Sequence, residues 1–175
     1  SKNLDLSSIK IITSTGSPLA EESFQYVYEN IKEDVHLASI AGGTDLVGCL
    51  ILGNIFSNVY KGEIQGQSLG IDVDIFTDDG KSTSDGEKGE LVVKQPFPSM
   101  PVKFWGDDGD QKYHKAYFTR FKNIWHHGDF IERTLNNGFI MRGRSDATLN
   151  PGGVRIGTSE IYQQVEGINF ITEGL

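Results

Sequence analysis

Charged side chains with the chemistry to bind a nucleotide lie in two segments between residues 125 and 160. Asp129 follows a run of aromatic residues and histidines, and its carboxylate can accept hydrogen bonds from both hydroxyls of a ribose. Arg144 and Arg155 lie on either side of Asp146 in a glycine-rich stretch, and guanidinium groups bind phosphate or ribose oxygens through paired hydrogen bonds. Each residue alone also fits a turn or a surface ion pair, but their spacing together favours a nucleotide site.

Two turns earlier in the chain carry further groups of this kind. Gly16-Ser17-Pro18 follows an apolar run, in a position where backbone groups commonly meet a base or a phosphate. Gly42-Gly43-Thr44-Asp45 follows another apolar run. Its glycines permit a close backbone approach, Thr44 offers a hydroxyl group to a phosphate, and Asp45 offers an oxygen ligand to Mg²⁺. As isolated signals, both segments fit ordinary turns better than a nucleotide site.

The two adjacent histidines, His126 and His127, are interpreted as loop residues. Other metal ligands do not lie at a useful spacing from them, so a metal pair is not predicted.

The elements that must position these groups fall into two patterns. Residues 8–14 and 35–40 are predicted to be strands, with a helix between them that begins near Pro18, so a parallel pair is expected. From residue 59 onward, alternating segments predict antiparallel strands in a small distorted barrel. These segments are residues 72–76, 89–94, 120–131 and 138–142. A last helix is predicted to begin at Thr158 or Ser159.

Composition narrows the class of protein. The chain has 175 residues and a net charge of -8, and it contains no basic stripe, which argues against a nucleic-acid partner. Its single cysteine, Cys49, cannot form an internal disulfide, so the cytosol is the expected compartment. The longest apolar run is too short to span a membrane.

Taken together, the motifs resemble the acyl-adenylate-forming enzymes, and within them the short-chain acyl-CoA synthetases that act on acetoacetate. The ordered segments that carry the resemblance are Gly16-Ser17-Pro18, Gly42-Gly43-Thr44-Asp45, Gly89-Glu90-Leu91, His127-Gly128-Asp129 and Gly143-Arg144-Ser145-Asp146. Further similar segments are Lys115-Ala116-Tyr117-Phe118 and Leu149-Asn150-Pro151-Gly152-Gly153-Val154-Arg155.

The resemblance implies a role for each of these segments. Gly16, Ser17 and Pro18 would line the adenine, and Gly43 and Thr44 would bind the nucleotide, with Thr44 at the α-phosphate. Asp45 would replace the family's usual Glu near Mg²⁺. Asp129 would hold the ribose hydroxyls, assisted by Arg144. Asp146 would be the hinge, and Arg155 would handle phosphate in the thioester-forming state. The substrates would be ATP, CoA and acetoacetate, and none of these residues would act as a covalent nucleophile.

Gly42 is a point of difference within the resemblance. Similar acetyl-CoA synthetases carry a Trp here, which fills the acyl pocket. Glycine would remove that wall and admit an acid of about four carbons.

The predicted organisation is an α/β fold with antiparallel β structure, forming the C-terminal part of the large domain of such an enzyme. Residues 1–58 would belong to the nucleotide- and acyl-binding part, 59–142 to the barrel-like part, 143–155 to the hinge, and 156–175 to the start of the next domain. The family's phosphate loop and its adenylation lysine would lie outside this chain, so the chain alone is expected to be inactive. The alternatives are a ligase for another short- or medium-chain acid, a catalytically silent nucleotide-binding module, and a β-barrel interaction domain that binds no nucleotide.

Overall fold

The computed structural model of the chain describes residues 4–166 and 168. The strands are β1 (Ile11–Ser14), β2 (His36–Ser39), β3 (Ala41–Gly43), β4 (Gly48–Leu52), β5 (Gly66–Gln67), β6 (Val73–Phe76), β7 (Lys88–Val93), β8 (Trp125–Arg133) and β9 (Phe139–Arg144). The α-helices are α1 (Glu21–Tyr26), α2 (Gln111–Tyr117) and α3 (Thr158–Glu166). Single turns of π or 3₁₀ helix cover Val27–Ile31, Ser145–Ala147 and Pro151–Gly153.

The N-terminal part is a strand–helix–strand unit. β1 pairs with β2 in parallel, with Ile12 opposite Leu37. The connecting helix α1 has two glutamates in its first turn, where they oppose the positive end of the helix dipole, and it buries Phe24. The prediction of a parallel pair joined by a helix is confirmed.

An antiparallel sheet in the order β6–β7–β8–β9 forms the centre of the molecule. β8 and β9 are joined by a tight turn in which Asn137 has φ +60°, a backbone conformation that asparagine tolerates better than most residues. The predicted antiparallel strands are confirmed, but the prediction of a strand over residues 120–131 was wrong in its first half. That strand begins only at Trp125, because residues 121–124 form a turn closed by a hydrogen bond from Ile124 N–H to Phe121 O.

A second sheet, β3–β4–β5, was not predicted. Its first strand consists of one alanine and two glycines, which give no alternating pattern. The predicted barrel takes the form of these two sheets around a shared core, which includes Leu50 and Ile51 from β4 together with Ile75 and Leu91 from the central sheet. Ile64 and Phe139 link the sheets through reciprocal backbone hydrogen bonds of 2.7 and 2.8 Å.

The helix α2 was also missed. Asp107 caps it by accepting hydrogen bonds from Lys112 N–H at 3.0 Å and Tyr113 N–H at 2.8 Å. Its aromatic residues pack on Trp125, and the ring of Tyr117 stacks on that indole with centroids 3.6 Å apart. This helix therefore carries Tyr117 to the edge of a cavity that Asp45 also lines.

The last helix, α3, is confirmed where it was predicted, and it lies against β9. Ser159 donates hydrogen bonds to the backbone oxygens of Met141 and Arg142, and Lys88 of β7 forms an ion pair with Glu160. Of the segment predicted to begin the next domain, residues 167 and 169–175 lie outside the described residues. Among the residues that the structure describes, no helix is long and apolar enough to cross a membrane.

Candidate functional site

A cavity of about 700 Å³ brings together most of the residues predicted to bind a nucleotide. Its wall includes the loop Gly16–Pro18, the turn Gly42–Thr44, Asp129 and Arg144. The loop Gly16–Pro18 follows β1, and Gly42–Thr44 covers the end of β3 and the first residue after it. Asp129 and Arg144 come from the paired strands β8 and β9. Segments far apart in sequence therefore meet at one concave surface.

The loop after β1 presents exposed backbone to this cavity. Gly16 has φ +94°, which strongly favours glycine, and a Cβ atom built on it would have no atom within 4 Å. Its requirement for glycine is therefore conformational rather than steric.

Gly42 has the opposite requirement. A Cβ atom on Gly42 would lie 2.0 Å from the backbone oxygen of Gly48 and 2.6 Å from Cα of Cys49. The close contact between β3 and β4 therefore demands a glycine here, and a Trp at this position would need a different course of the two strands. Pocket size alone does not explain this glycine, although Gly42 does line the cavity.

Asp129 and Arg144 lie opposite each other on β8 and β9. Arg144 Nη1 donates to Asp129 Oδ1 at 3.1 Å and to the backbone oxygen of His127 at 3.3 Å. Asp129 is buried, and burial raises its pKa against the opposing effects of His127 and Arg144. The Arg144 side chain remains 55% exposed, so the pair offers one buried acceptor and one accessible cation.

A bulge in β8 explains how these side chains reach the cavity. Glu90 and Val92 of β7 pair with Phe130 and His126, so only Leu91 faces the three intervening residues of β8. Gly128 lies in this bulge with φ +83°, and a Cβ atom there would lie 2.7 Å from Arg144 Nη2. Bulges commonly redirect side chains beside functional sites.

His127 is not a loop residue, and the same correction applies to His126, because both belong to β8. The His127 ring is buried beside Asp129, with 3.6 Å between its Nε2 and Asp129 Oδ2. Burial lowers the pKa of His127, so the ring is neutral at pH 7. Sequence reasoning missed its position because a bulged strand end does not alternate.

A second cavity, of about 500 Å³, shares the Gly42–Thr44 wall and Arg144 with the first. Asp45, Asp146 and Tyr117 line it. Tyr117 belongs to a segment that resembles the family, but no role was predicted for it. The Tyr117 hydroxyl donates to Asp45 Oδ2, and burial followed by this bond raises the pKa of Tyr117 above its usual range. The tyrosine therefore orients the carboxylate of Asp45.

Arg155 lies outside both cavities. Its guanidinium stacks 4.1 Å from the ring centroid of Phe130 and donates to Glu90 Oε1 at 2.5 Å. Glu90 is fully buried and also accepts hydrogen bonds from His126 and from Ser145. Burial opposes ionisation of Glu90, yet these three donors together lower its pKa to about 2. Glu90 belongs to the segment Gly89-Glu90-Leu91, which resembles the family, but no role was predicted for it. The residues beside it in the sequence do not indicate these distant partners.

The predicted hinge residue, Asp146, lies in the turn Ser145–Ala147 with its side chain 78% exposed. Its Oδ1 lies 3.6 Å from Arg144 Nε. It is therefore unconstrained by packing at the point where β9 ends.

Metal binding can be tested against the donor set. Within residues 4–166 and 168, no group of three or more His, Cys, Asp or Glu side chains is arranged to hold a metal ion. Asp45 supplies a single oriented carboxylate. Because Mg²⁺ often takes only one or two carboxylates and completes its shell with substrate phosphates and water, Asp45 fits a cation that arrives with a nucleotide.

Comparison with known proteins agrees with this geometry. No protein-family model matches the chain. It is 60% identical over 171 residues to acetoacetyl-coenzyme A synthetase of Rhizobium meliloti, a match that covers 98% of this chain and 26% of the relative. It is 47% identical over 172 residues to acetoacetyl-CoA synthetase of Gallus gallus, covering 98% of this chain and 26% of the relative.

Solved structures give the same result. Acetoacetyl-CoA synthetase from Streptomyces lividans matches 99% of this chain and 27% of that chain, with a TM-score of 0.88 and 39% identity. An anthranilate CoA ligase in complex with anthranoyl-AMP matches 93% of this chain and 30% of that chain, with a TM-score of 0.76 and 19% identity, which supports the fold alone.

In fold and in sequence, the chain is similar to one part of the acyl-adenylate-forming enzymes. More particularly, the chain is homologous over nearly its whole length to the acetoacetyl-CoA synthetases, and it spans about a quarter of the length of the relatives it matches.

Proposed function

We propose that the full-length protein of which this chain is a part is an ATP-dependent acid–thiol ligase that forms acetoacetyl-CoA. A carboxylate oxygen of acetoacetate attacks the α-phosphorus of ATP, and pyrophosphate leaves. The CoA thiolate then attacks the carbonyl carbon of the acyl-adenylate, and AMP leaves. Support comes from the homology of this quarter of the enzyme to acetoacetyl-CoA synthetases.

The observation that carries the proposal is the shared cavity of Gly16–Pro18, Gly42–Thr44, Asp129 and Arg144. In our proposal the adenine lies against the first of these segments, whose backbone is exposed. The α-phosphate lies near the Thr44 hydroxyl. The ribose hydroxyls donate to Asp129, and Arg144 beside it interacts with ribose or phosphate oxygens.

Burial gives Asp129 the properties that a ribose acceptor requires. Its carboxylate is removed from water while only Arg144 donates a hydrogen bond to it among the described residues. Two ribose hydroxyls would complete its hydrogen bonding, and such bonds are stronger away from water. No covalent step is assigned to any residue of this chain, so these residues act by binding and orienting.

We propose Asp45 as the carboxylate of this chain that contacts Mg²⁺ bound to ATP. The cation would offset negative charge on the phosphates during attack. Asp45 reaches less far than the Glu usual in the family, and its contact with Tyr117 fixes its direction.

The identity of the acid rests on the relatives' names and on Gly42. A ligase for another short- or medium-chain acid is the second candidate. A Cβ atom on Gly42 would point into the backbone of β4, so strand packing requires this glycine whichever acid the enzyme selects. This finding favours the second candidate.

We further propose that residues 143–155 form the hinge, with Asp146 as its pivot and with Arg155 released to bind phosphate in the thioester-forming state. In the structure Arg155 is bound to Glu90, so this role requires that contact to break. The divisions 1–58, 59–142 and 156–175 remain predictions, and the sheet β3–β4–β5 crosses the first boundary. A cytosolic location is proposed from the single cysteine and the acidic composition.

The test is pyrophosphate release by the full-length protein with ATP and, in parallel, acetate, propionate, butyrate or acetoacetate. We expect acetoacetate to give the highest kcat/KM. Preference for another acid would support the second candidate, and ATP binding without turnover of any acid would indicate a silent nucleotide-binding module.

A further inference from the structure

The ring of His127 connects the two sides of the nucleotide cavity through hydrogen bonds at both of its nitrogens. The indole Nε1–H of Trp125 donates to Nδ1 of His127 at 3.3 Å, and Nε2 of His127 lies 3.1 Å from the backbone oxygen of Gly42. An indole nitrogen can only donate and a carbonyl oxygen can only accept. His127 is therefore the neutral tautomer with its proton on Nε2, and it donates to Gly42.

The same ring also packs against the next residue of the turn. A Cβ atom built on Gly43 would lie 3.0 Å from Cε1 of His127, closer than ordinary van der Waals contact. Gly43 thus leaves the space that the ring occupies. The hydrogen bond to Gly42 therefore holds this backbone against β8, and the absence of a side chain at Gly43 makes room for the ring.

This contact lies between the groups that the proposed function assigns to two neighbouring parts of the nucleotide, the α-phosphate and the ribose. Thr44, assigned to the α-phosphate, follows Gly43 directly. Asp129, assigned to the ribose, lies two residues from His127 on β8, with 3.6 Å between Nε2 and Oδ2. The separation of phosphate and ribose groups therefore depends on where His127 holds the turn.

We propose that His127 is a positioning residue, which fixes the Gly42–Thr44 turn relative to Asp129 and thereby sets the geometry for ATP. This inference rests on the proposed function. Both nitrogens of His127 are engaged, by Trp125 and by Gly42, so its proposed role is to place the turn and not to bond to a substrate.

The charged groups around the ring determine how pH acts on it. Asp129 favours the protonated ring, whereas burial, Arg144 and His126 disfavour it, and burial is the largest of these effects. Tyr117, on the helix packed against Trp125, is protonated because its pKa is raised. The hydrogen bond to Gly42 also favours the protonated ring. Protonation at Nδ1 would set two donors against each other at Trp125 while Nε2–H still donates to Gly42, so the ring loses its attachment to Trp125 only at acidic pH, below the usual pKa of about 6.5.

The test compares His127→Asn with His127→Gln in the full-length protein. Both substitutions remove the imidazole, but the glutamine amide nitrogen reaches about the position of Nε2, whereas that of asparagine reaches only about Nδ1. We expect His127→Asn to raise KM for ATP about tenfold in pyrophosphate release, with a smaller change in kcat. His127→Gln should recover most of this loss, and it should flatten the acid side of the pH profile because glutamine does not titrate.

Thermal unfolding of both variants separates positioning from general packing. Equal losses of affinity for ATP in both variants, following equal losses of stability, would overturn the proposal, and so would wild-type KM in His127→Asn. If His127→Asn does not fold, Gly43→Ala provides a second test, since its methyl group must displace a histidine that remains present. Wild-type KM for ATP in Gly43→Ala would likewise overturn the proposal. Failure of the wild-type protein with every acid would overturn the proposed function first, and this inference with it.

Discussion

Two buried carboxylates in neighbouring strands have pKa values shifted in opposite directions. Burial raises the pKa of both, but Glu90 receives hydrogen bonds from His126, Ser145 and Arg155, which outweigh burial. Asp129 receives fewer, so burial dominates. A carboxylate with a full set of donors supports the fold, whereas one with acceptor capacity left is suited to a ligand.

Asp129→Asn in the full-length protein is expected to lower kcat/KM for ATP by about 10- to 100-fold, because charged hydrogen bonds to the ribose are lost. Stability should change by less than about 1 kcal/mol, since burial already disfavours the charge of Asp129, and its partner Arg144 is 55% exposed and stays hydrated when the ion pair is lost. Pyrophosphate release and urea unfolding measure the two effects. The exposed Asp85→Asn serves as the control, and unchanged KM in Asp129→Asn would remove Asp129 from the site.

Gly128→Ala and Gly86→Ala form a matched pair, because the two glycines have φ +83° and +81°. Both substitutions should cost about 1–2 kcal/mol of stability from backbone strain. Only at Gly128 does the new methyl group meet another residue, Arg144, whereas Gly86 has no atom within 4 Å. We expect KM for ATP to rise about tenfold in Gly128→Ala alone, as Arg144 moves away from Asp129. Equal kinetics in the two variants would argue against a role for Arg144.

At the scale of elements, Glu90 fastens the segment after β9 to the central sheet. Its partners Ser145 and Arg155 lie on either side of the Asp146 turn, and His126 belongs to β8. The buried carboxylate of Glu90 therefore holds the central sheet and the segment proposed as the hinge together.

Glu90→Gln should lower the free energy of unfolding at pH 7 by about 3 kcal/mol, because it leaves Arg155 and Arg120, whose Nη1 lies 3.1 Å from Glu90 Oε1, facing a neutral amide. The carboxyl group has a pKa of about 2 in the fold against an ordinary value of 4.5. Its contribution is therefore complete above pH 4.5 and is lost as the pH falls towards 2. Urea unfolding at pH 7 and pH 3 should show the wild type and Glu90→Gln converging at the lower pH. Exposed Glu22→Gln is the control, and a constant difference between the pH values would contradict the assignment.

The elements differ in how far the sequence predicted them. β1, α1 and β2 were predictable because apolar residues recur with the right period and because a short turn separates them. β3 was not, since Ala41–Gly43 has almost no side chains, and its pairing depends on β4 reaching the glycine backbone. Most of the candidate site was predicted from motif order, and Gly16–Pro18, Asp129 and Arg144 do share a cavity. The positions of His127 and Glu90 were not predictable, because a bulge and contacts between distant segments determine them.

At the scale of the whole molecule, the proposed function makes the described residues one face of a larger site. The relatives are about four times as long as this chain. By the family resemblance, the phosphate loop and the adenylation lysine belong to other parts of the full-length protein.

We expect the 175-residue chain on its own to release no pyrophosphate from ATP with acetoacetate, under conditions where the full-length protein does. A discontinuous pyrophosphate assay at equal molar concentrations measures this, and circular dichroism establishes whether the isolated chain is folded. Turnover by the folded chain alone would show that catalysis does not require the phosphate loop and the lysine that the resemblance places outside this chain.

The contact between His127 and Gly42 also bears on how the protein is made. The two residues are 85 positions apart. At a synthesis rate of about 5–20 residues per second, the Gly42 turn emerges from the ribosome roughly 4–17 s before the strand that completes its cavity. On the proposed function, nucleotide therefore gains its contacts with Asp129 and Arg144 only after β8 and β9 have been synthesised and have paired. Until then the Gly42 turn must rely on the packing of the strands already made.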